Sequence, residues 1–211
     1  MRDGPSISII CFGDSLTAGY QSPTYDVPYN VETPYGMFLQ ERLGAQATVM
    51  TCGVCGEVTR DMVLRFQRDV VAYRPDYVVI LGGTNDLGCH VASIEVFNNL
   101  CCLYDQASAA GIRPVAVTVP SIRMEINLTD RHWLNDFLMQ RQHLNRLILD
   151  YCAKHAMACV DLFAATVEPD TLLLADPYSN DGLHLTTKGY RKMADLLYEQ
   201  VFHGRVHGQH E

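Results

Sequence analysis

Apolar residues concentrate in five short runs, Ile7–Phe12, Ala47–Cys52, Asp76–Leu81, Pro114–Val119 and Met157–Leu162, with longer amphipathic segments between them. Runs of this length bounded by turn residues read as buried strands, and their alternation with helical patterns predicts a parallel sheet covered by helices on both faces. Pro34 and Gly44 bracket a short helix carrying Phe38, Leu39 and Leu43, and Thr59 opens another with Met62, Val63, Phe66 and Val70 on one face. Ser93 starts a third, with Ile94, Phe97, Cys101 and Tyr104 at helical spacing and Gly111 just beyond its end. A longer helix is predicted from about Asn135 to His155 through Leu138, Leu144, Ile148 and Cys152, and a last one from Thr187 through Tyr190, Met193, Leu197 and Val201. Two stretches resist this pattern: Gln21 to Thr33, and Ser121 to Asn135 with the only tryptophan, Trp133. They follow the first and fourth strands, so both are expected to hang over one rim of the sheet, where loops commonly shape a pocket.

With 211 residues and 48% hydrophobic content, the chain is read as a single domain over 1–211, with 203–211 as a frayed end. The histidines of that tail, His203, His207 and His210, are therefore not read as a metal site. A net charge of -8 with no basic run argues against a nucleic-acid partner, and no apolar run is long enough to span a membrane. Met1 to Pro5 leads directly into the first strand, from which a cytoplasmic location is expected. Cys11, Cys101, Cys102, Cys152 and Cys159 fall inside predicted strands and helices and read as reduced, small apolar fillers. Cys52-Gly53-Val54-Cys55 lacks a second pair to complete a zinc site and is read as structural, while Asn127-Leu128-Thr129 matches a glycosylation acceptor. No cofactor or metal is expected.

Chemistry enters at the strand ends. The first three strands run into Gly13-Asp14-Ser15, Gly53-Val54-Cys55-Gly56 and Gly82-Gly83-Thr84-Asn85-Asp86, and a parallel sheet puts all three turns on one edge. Taken alone, Asp14 and Ser15 read equally well as turn and N-cap residues. Acyl transfer, however, needs a nucleophile and several donors around one developing oxyanion, and Ser15, the Gly56 N–H and the Asn85 amide can supply them. A serine hydroxyl needs a base, and the base needs an orienting group; Asp181-Gly182-Leu183-His184 offers both before the last helix.

These blocks, in this order, resemble those of the SGNH/GDSL hydrolase (GDSL-like lipase/esterase) family: Gly13-Asp14-Ser15-Leu16, the Gly56 turn, Gly83-Thr84-Asn85-Asp86 and Asp181-Gly182-Leu183-His184. The resemblance implies a flavodoxin-like three-layer α/β/α sandwich with a five-stranded parallel sheet. It also implies Ser15 as nucleophile, His184 as base, Asp181 as its orienter, and an oxyanion hole of the Ser15 and Gly56 amides with Asn85. Thr51 and Cys55 depart from the asparagine and serine that the family often carries in the second block. Asp14, Tyr20, Tyr25, Tyr29, Thr84, Trp133 and Leu183 are the candidates for lining a substrate pocket.

The expected function is that of a serine esterase acting on short or medium acyl or aryl esters through an acyl-enzyme on Ser15. Its partners would be a small-molecule ester and water or an alcohol as acyl acceptor. Carbohydrate acetylesterase, thioesterase and acyltransferase use the same residues and stay open, as does a non-catalytic flavodoxin-like ligand-binding module.

Overall fold

The computed structural model describes residues 6–124 and 131–204, the side chains of 131–133 excepted. In chain order the elements are β1 (Ile7–Gly13), α1 (Ser15–Ala18), β2 (Tyr20–Gln21), β3 (Val31–Glu32), α2 (Tyr35–Leu43), β4 (Ala47–Gly53), α3 (Thr59–Asp69) and β5 (Tyr77–Leu81). There follow α4 (Thr84–Gly88), α5 (Ser93–Ala109), β6 (Arg113–Val117), α6 (Arg131–His155), β7 (Ala158–Val160), α7 (Leu162–Thr166) and α8 (Thr187–Leu197). The main sheet is parallel throughout, in the order β4-β1-β5-β6-β7. That order is the flavodoxin-like one expected.

Strand side chains alternate between two cores. Ile9 and Cys11 of β1, with Tyr77, Val79 and Leu81 of β5, pack under α2 and α8, whereas Ile10, Phe12, Val78 and Ile80 pack under α3, α5 and α6. Both faces are thus covered, which is why the central strands read as unbroken apolar runs. The chain leaves β1 toward β4 across one face and leaves β5 toward β6 across the other. The crevice between the carboxyl ends of β1 and β5 is therefore the topological switch point.

The differences from the expected elements lie at their ends. The helix placed from about Asn135 begins at Arg131; Leu134 already opens its apolar repeat with Phe137 and Leu138, a start hidden by reading the stretch through Trp133 as part of the preceding loop. The fifth strand stops at Val160, since Asp161 caps α7 by accepting the Ala164 N–H. The last helix widens after Leu197 into a π turn, Tyr198–Phe202, and helical structure continues through 203–204, the first two residues of the stretch expected to fray. The 21–33 segment carries β2 and β3 as a small antiparallel pair. Cys11 and Cys152 are buried as expected, but Cys102 is exposed and fills no core. The glycosylation pattern at 127–129, His207 and His210 lie outside the described residues.

Candidate active site

Ser15 opens α1 directly after β1. Asp14 caps this single turn, its Oδ1 accepting the Leu16 N–H at 2.9 Å. Both readings of the Asp14–Ser15 pair therefore hold together: Asp14 is the cap, and the cap aims Ser15 out over the sheet edge.

The imidazole reaches it from the far end of the chain. His184 Nε2 lies 3.1 Å from Ser15 Oγ, and His184 Nδ1 lies 2.7 Å from Asp181 Oδ2. The loop that carries both residues is tightly self-bonded. Asp181 Oδ1 accepts the amides of Leu183 (2.8 Å) and His184 (2.7 Å), and Ser179 Oγ donates to the His184 carbonyl at 2.6 Å. Gly182 has φ 81°, and a Cβ there would sit 1.7 Å from the Arg123 carbonyl oxygen, so glycine is required between Asp181 and Leu183. Burial would push the Asp181 carboxyl up. Donors from His184, Ser22 and the two amides outweigh it and hold the group well below the usual carboxylate range.

The two glycine-bearing turns leave the sheet at the same edge as Ser15. Gly13 is in register with Gly53 of β4 and Leu81 of β5, so the turns leave the sheet at one level. Val54 N–H donates to the Gly13 carbonyl at 3.0 Å, and Gly56 takes φ 78°. Asn85 Nδ2 donates one hydrogen to the Glu57 carbonyl at 2.8 Å, which orients the amide and leaves its second hydrogen for another acceptor. Asp86 accepts the Thr59 amide at 2.9 Å and the Thr59 hydroxyl at 2.6 Å, tying α4 to the start of α3.

Sequence reasoning passed over the side chain that holds this half together. Arg65 is 8% exposed, clasps Glu57 with Nε and Nη2 at 2.6 to 2.9 Å, and donates from Nη2 to the Gly13 carbonyl at 2.9 Å. Its guanidinium lies 4.0 Å over the Phe12 ring. The signal was present: Arg65 sits three residues after Met62 and directly before Phe66, on the buried face of α3. A second cation, Arg141, lies at 1% exposure on the apolar stripe of α6 and donates to the Pro120 carbonyl at 2.8 Å. Ser22, which donates to Asp181 Oδ2 at 2.5 Å, was also missed, because nothing in a loop sequence marks which hydroxyl folds back.

The pocket candidates divide. Tyr20 packs edge-on against the His184 ring, with centroids 4.5 Å apart, and Leu183 is partly buried beside it in sequence. Asp14 is wholly buried because its carboxylate turns inward to cap α1, and Thr84 is 4% exposed as the first residue of α4, so neither faces a substrate. Tyr25 and Tyr29 stand in solvent at 101% and 66% exposure, so neither is buried against the site as it stands. The backbone of Trp133 is in α6, and its side chain lies outside the described residues. A cavity of about 310 Å³ beside α4 is lined by Leu87, His90, Phe137 and Gln140 among others, and by none of the candidates.

The family model of GDSL-like lipases and acylhydrolases matches residues 11–192. A curated relative, the uncharacterized lipoprotein YqeF of Bacillus subtilis, is 24% identical over 229 residues, covering 94% of this chain and 89% of that protein. Among solved structures, the aryl esterase of M. smegmatis superposes with a TM-score of 0.73 at 19% identity, over 93% of this chain and 98% of that one. Est24, a carbohydrate acetylesterase from Sinorhizobium meliloti, gives 0.72 at 19% identity over the same shares. At these identities the superpositions show the fold. The expected cytoplasmic location is corrected: the curated relative is a lipoprotein, and the short polar start of this chain was no ground for that placement. Among the described residues no helix is long and apolar enough to cross a membrane.

Proposed function

The chain belongs to the GDSL-like lipase/acylhydrolase family and is an esterase-type hydrolase of small-molecule esters; on that premise we propose a serine mechanism centred on Ser15. The observation that carries it is the unbroken line from Asp181 through His184 to Ser15, at 2.7 and 3.1 Å. Neutral His184 takes the Ser15 proton at Nε2 as Oγ attacks the ester carbonyl. The resulting oxyanion is held by the Ser15 and Gly56 amides and the free N–H of Asn85. His184 then returns the proton to the departing alkoxide oxygen, leaving an acyl group on Ser15. Water, deprotonated by the same imidazole, attacks that acyl-enzyme; the acyl–Oγ bond breaks, His184 gives its proton back to Ser15 Oγ, and the acid is released. Asp181, ionised by its surrounding donors, keeps the imidazole proton on Nδ1 so that Nε2 stays an acceptor.

The substrates proposed are short or medium acyl or aryl esters. Sugar acetates form a second reading, supported by the likeness to Est24. Hydrolysis of nitrophenyl esters of rising chain length, beside an acetylated sugar, ranks the two. Ser15→Ala and His184→Ala are each expected to lower kcat by about 10⁴-fold or more with folding intact, as loss of a nucleophile or its base does elsewhere. A fluorophosphonate should label wild-type Ser15 stoichiometrically. An active, unimpaired Ser15→Ala protein would refute the mechanism.

A further inference from the structure

Resting on the triad reading above, we propose that Ser22 is a positioning residue for the reaction, its hydroxyl fixing the Asp181 carboxylate in the orientation that His184 needs. The two oxygens of Asp181 are held differently. Oδ1 is served from within its own loop, by the amides of Leu183 and His184. Those bonds place the carboxylate relative to the loop but do not tie it to the sheet that carries Ser15. Oδ2, which faces His184 Nδ1, receives its second hydrogen bond from Ser22 Oγ at 2.5 Å, across 159 positions of sequence.

Ser22 is itself fixed from both sides. Its carbonyl accepts from Asn180 Nδ2 at 2.8 Å, so one residue holds two consecutive positions of the triad loop. The residues before it are bound to the same region: the Gln21 side chain exchanges hydrogen bonds with Thr187 at 3.0 and 3.1 Å, and the Tyr20 carbonyl accepts from the Tyr190 hydroxyl at 2.7 Å. The β2 segment begins two residues after α1, whose first residue is Ser15. Through it the nucleophile's element and the carboxylate's loop are joined, and the Ser22 hydroxyl is the part of that junction that touches Oδ2. The two amides on Oδ1 set the carboxylate within its own loop, and the Ser22 hydroxyl on Oδ2 adds the bond that sets it against the segment following Ser15, so that carboxylate, imidazole and nucleophile keep one register.

The test compares Ser22→Thr with Ser22→Val, which match in size and differ in hydroxyl against methyl. With p-nitrophenyl acetate, Val is expected to lower kcat about 10- to 100-fold at nearly constant KM, the range for a hydrogen bond to a charged group, while Thr retains most of it. A double-mutant cycle supplies the readout that a loosened loop would not give. In an Asp181→Asn background, Ser22→Val should cost less than twofold, because its route to the chemistry is already gone. A Val variant within twofold of wild type, or an equal loss in both backgrounds, overturns the assignment to Ser22 while leaving the esterase intact. A wild-type protein that neither turns over the ester nor takes a fluorophosphonate at Ser15 overturns the mechanism itself, and this proposal with it.

Discussion

Two aspartates flank the Ser15–His184 contact, and their environments are opposite. Asp181 is partly open to solvent and is surrounded by donors from Ser22, Leu183 and His184, which together keep it ionised. Asp14 is wholly buried, accepts one hydrogen bond from Leu16, and leaves Oδ2 without a partner among the described residues. Burial, opposed by the Leu16 amide and reinforced by the charge of Asp86, raises its pKa to about 7. Position beside the reacting atoms thus does not decide which carboxylate carries charge. The supply of donors does: negative charge is kept where the loop can solvate it and is discouraged under Ser15, where a fixed anion would oppose a developing oxyanion.

The strongest way to break this contrast is to neutralise the ionised member. Asp181→Asn preserves size but replaces an acceptor of the imidazole N–H with an amide that can present a donor, favouring the wrong tautomer. A loss of about 10⁴ in kcat is expected, the magnitude seen for this change in serine proteases. Steady-state kinetics with p-nitrophenyl acetate measure it, and a loss under tenfold would show that Asp181 does not orient His184.

How much of this was legible in the sequence follows from the range of each interaction. The strands and most helices are written in local periodicity, and Ser15, Asn85 and His184 stand in compact blocks, so both fold and candidate triad could be read from neighbours a few residues apart. Helix ends were less clear, as at Arg131, where the stretch through Trp133 reads in sequence as a continuation of the loop before it. The support beneath the site was not legible. Arg65 with Glu57, Ser22 with Asp181 and Arg141 with Pro120 join positions on different elements, and only folding reveals the pairing. Asp14 misled for the converse reason: a residue adjacent to the nucleophile looks like pocket lining, yet the cap turns its side chain the other way.

The oxyanion side sharpens the comparison with a third case. Glu57 is as buried as Arg65, at 8% side-chain exposure for each, but it is paired where Asp14 is not. Because the Glu57 carbonyl also orients Asn85, Arg65→Met should disturb two expected oxyanion donors at once. We expect kcat to fall about 10²-fold, comparable to loss of one preorganised donor, with KM little changed. Stability should fall by about 3 kcal/mol, since Glu57 is left as an uncompensated buried charge. Double substitution Glu57→Gln with Arg65→Met should recover part of the stability, measured by urea denaturation, without recovering kcat. Recovery of both would mean that the pair serves folding alone.

The smallest expected effect isolates Asp14. An unfolded aspartate titrates near pH 4, whereas native Asp14 titrates at about 7, so between these values the native state holds a proton that the unfolded state has released. Stability from this group is therefore greatest at the acid end of the window and falls as pH rises toward 7, with a slope of up to about 1.4 kcal/mol per pH unit. Asp181 has the opposite sign: its depressed pKa gives stability that is present above about pH 4 and lost in acid. Asn at position 14 keeps an oxygen for the Leu16 amide and carries no proton to release. Asp14→Asn should then gain on wild type steadily from pH 5 to pH 7 in urea denaturation, with kcat within about threefold, because the side chain lies beneath the reacting groups and touches none of them. Parallel stability curves for the two proteins across that range would show that Asp14 is ionised in the native state, and the contrast between the two carboxylates would be lost.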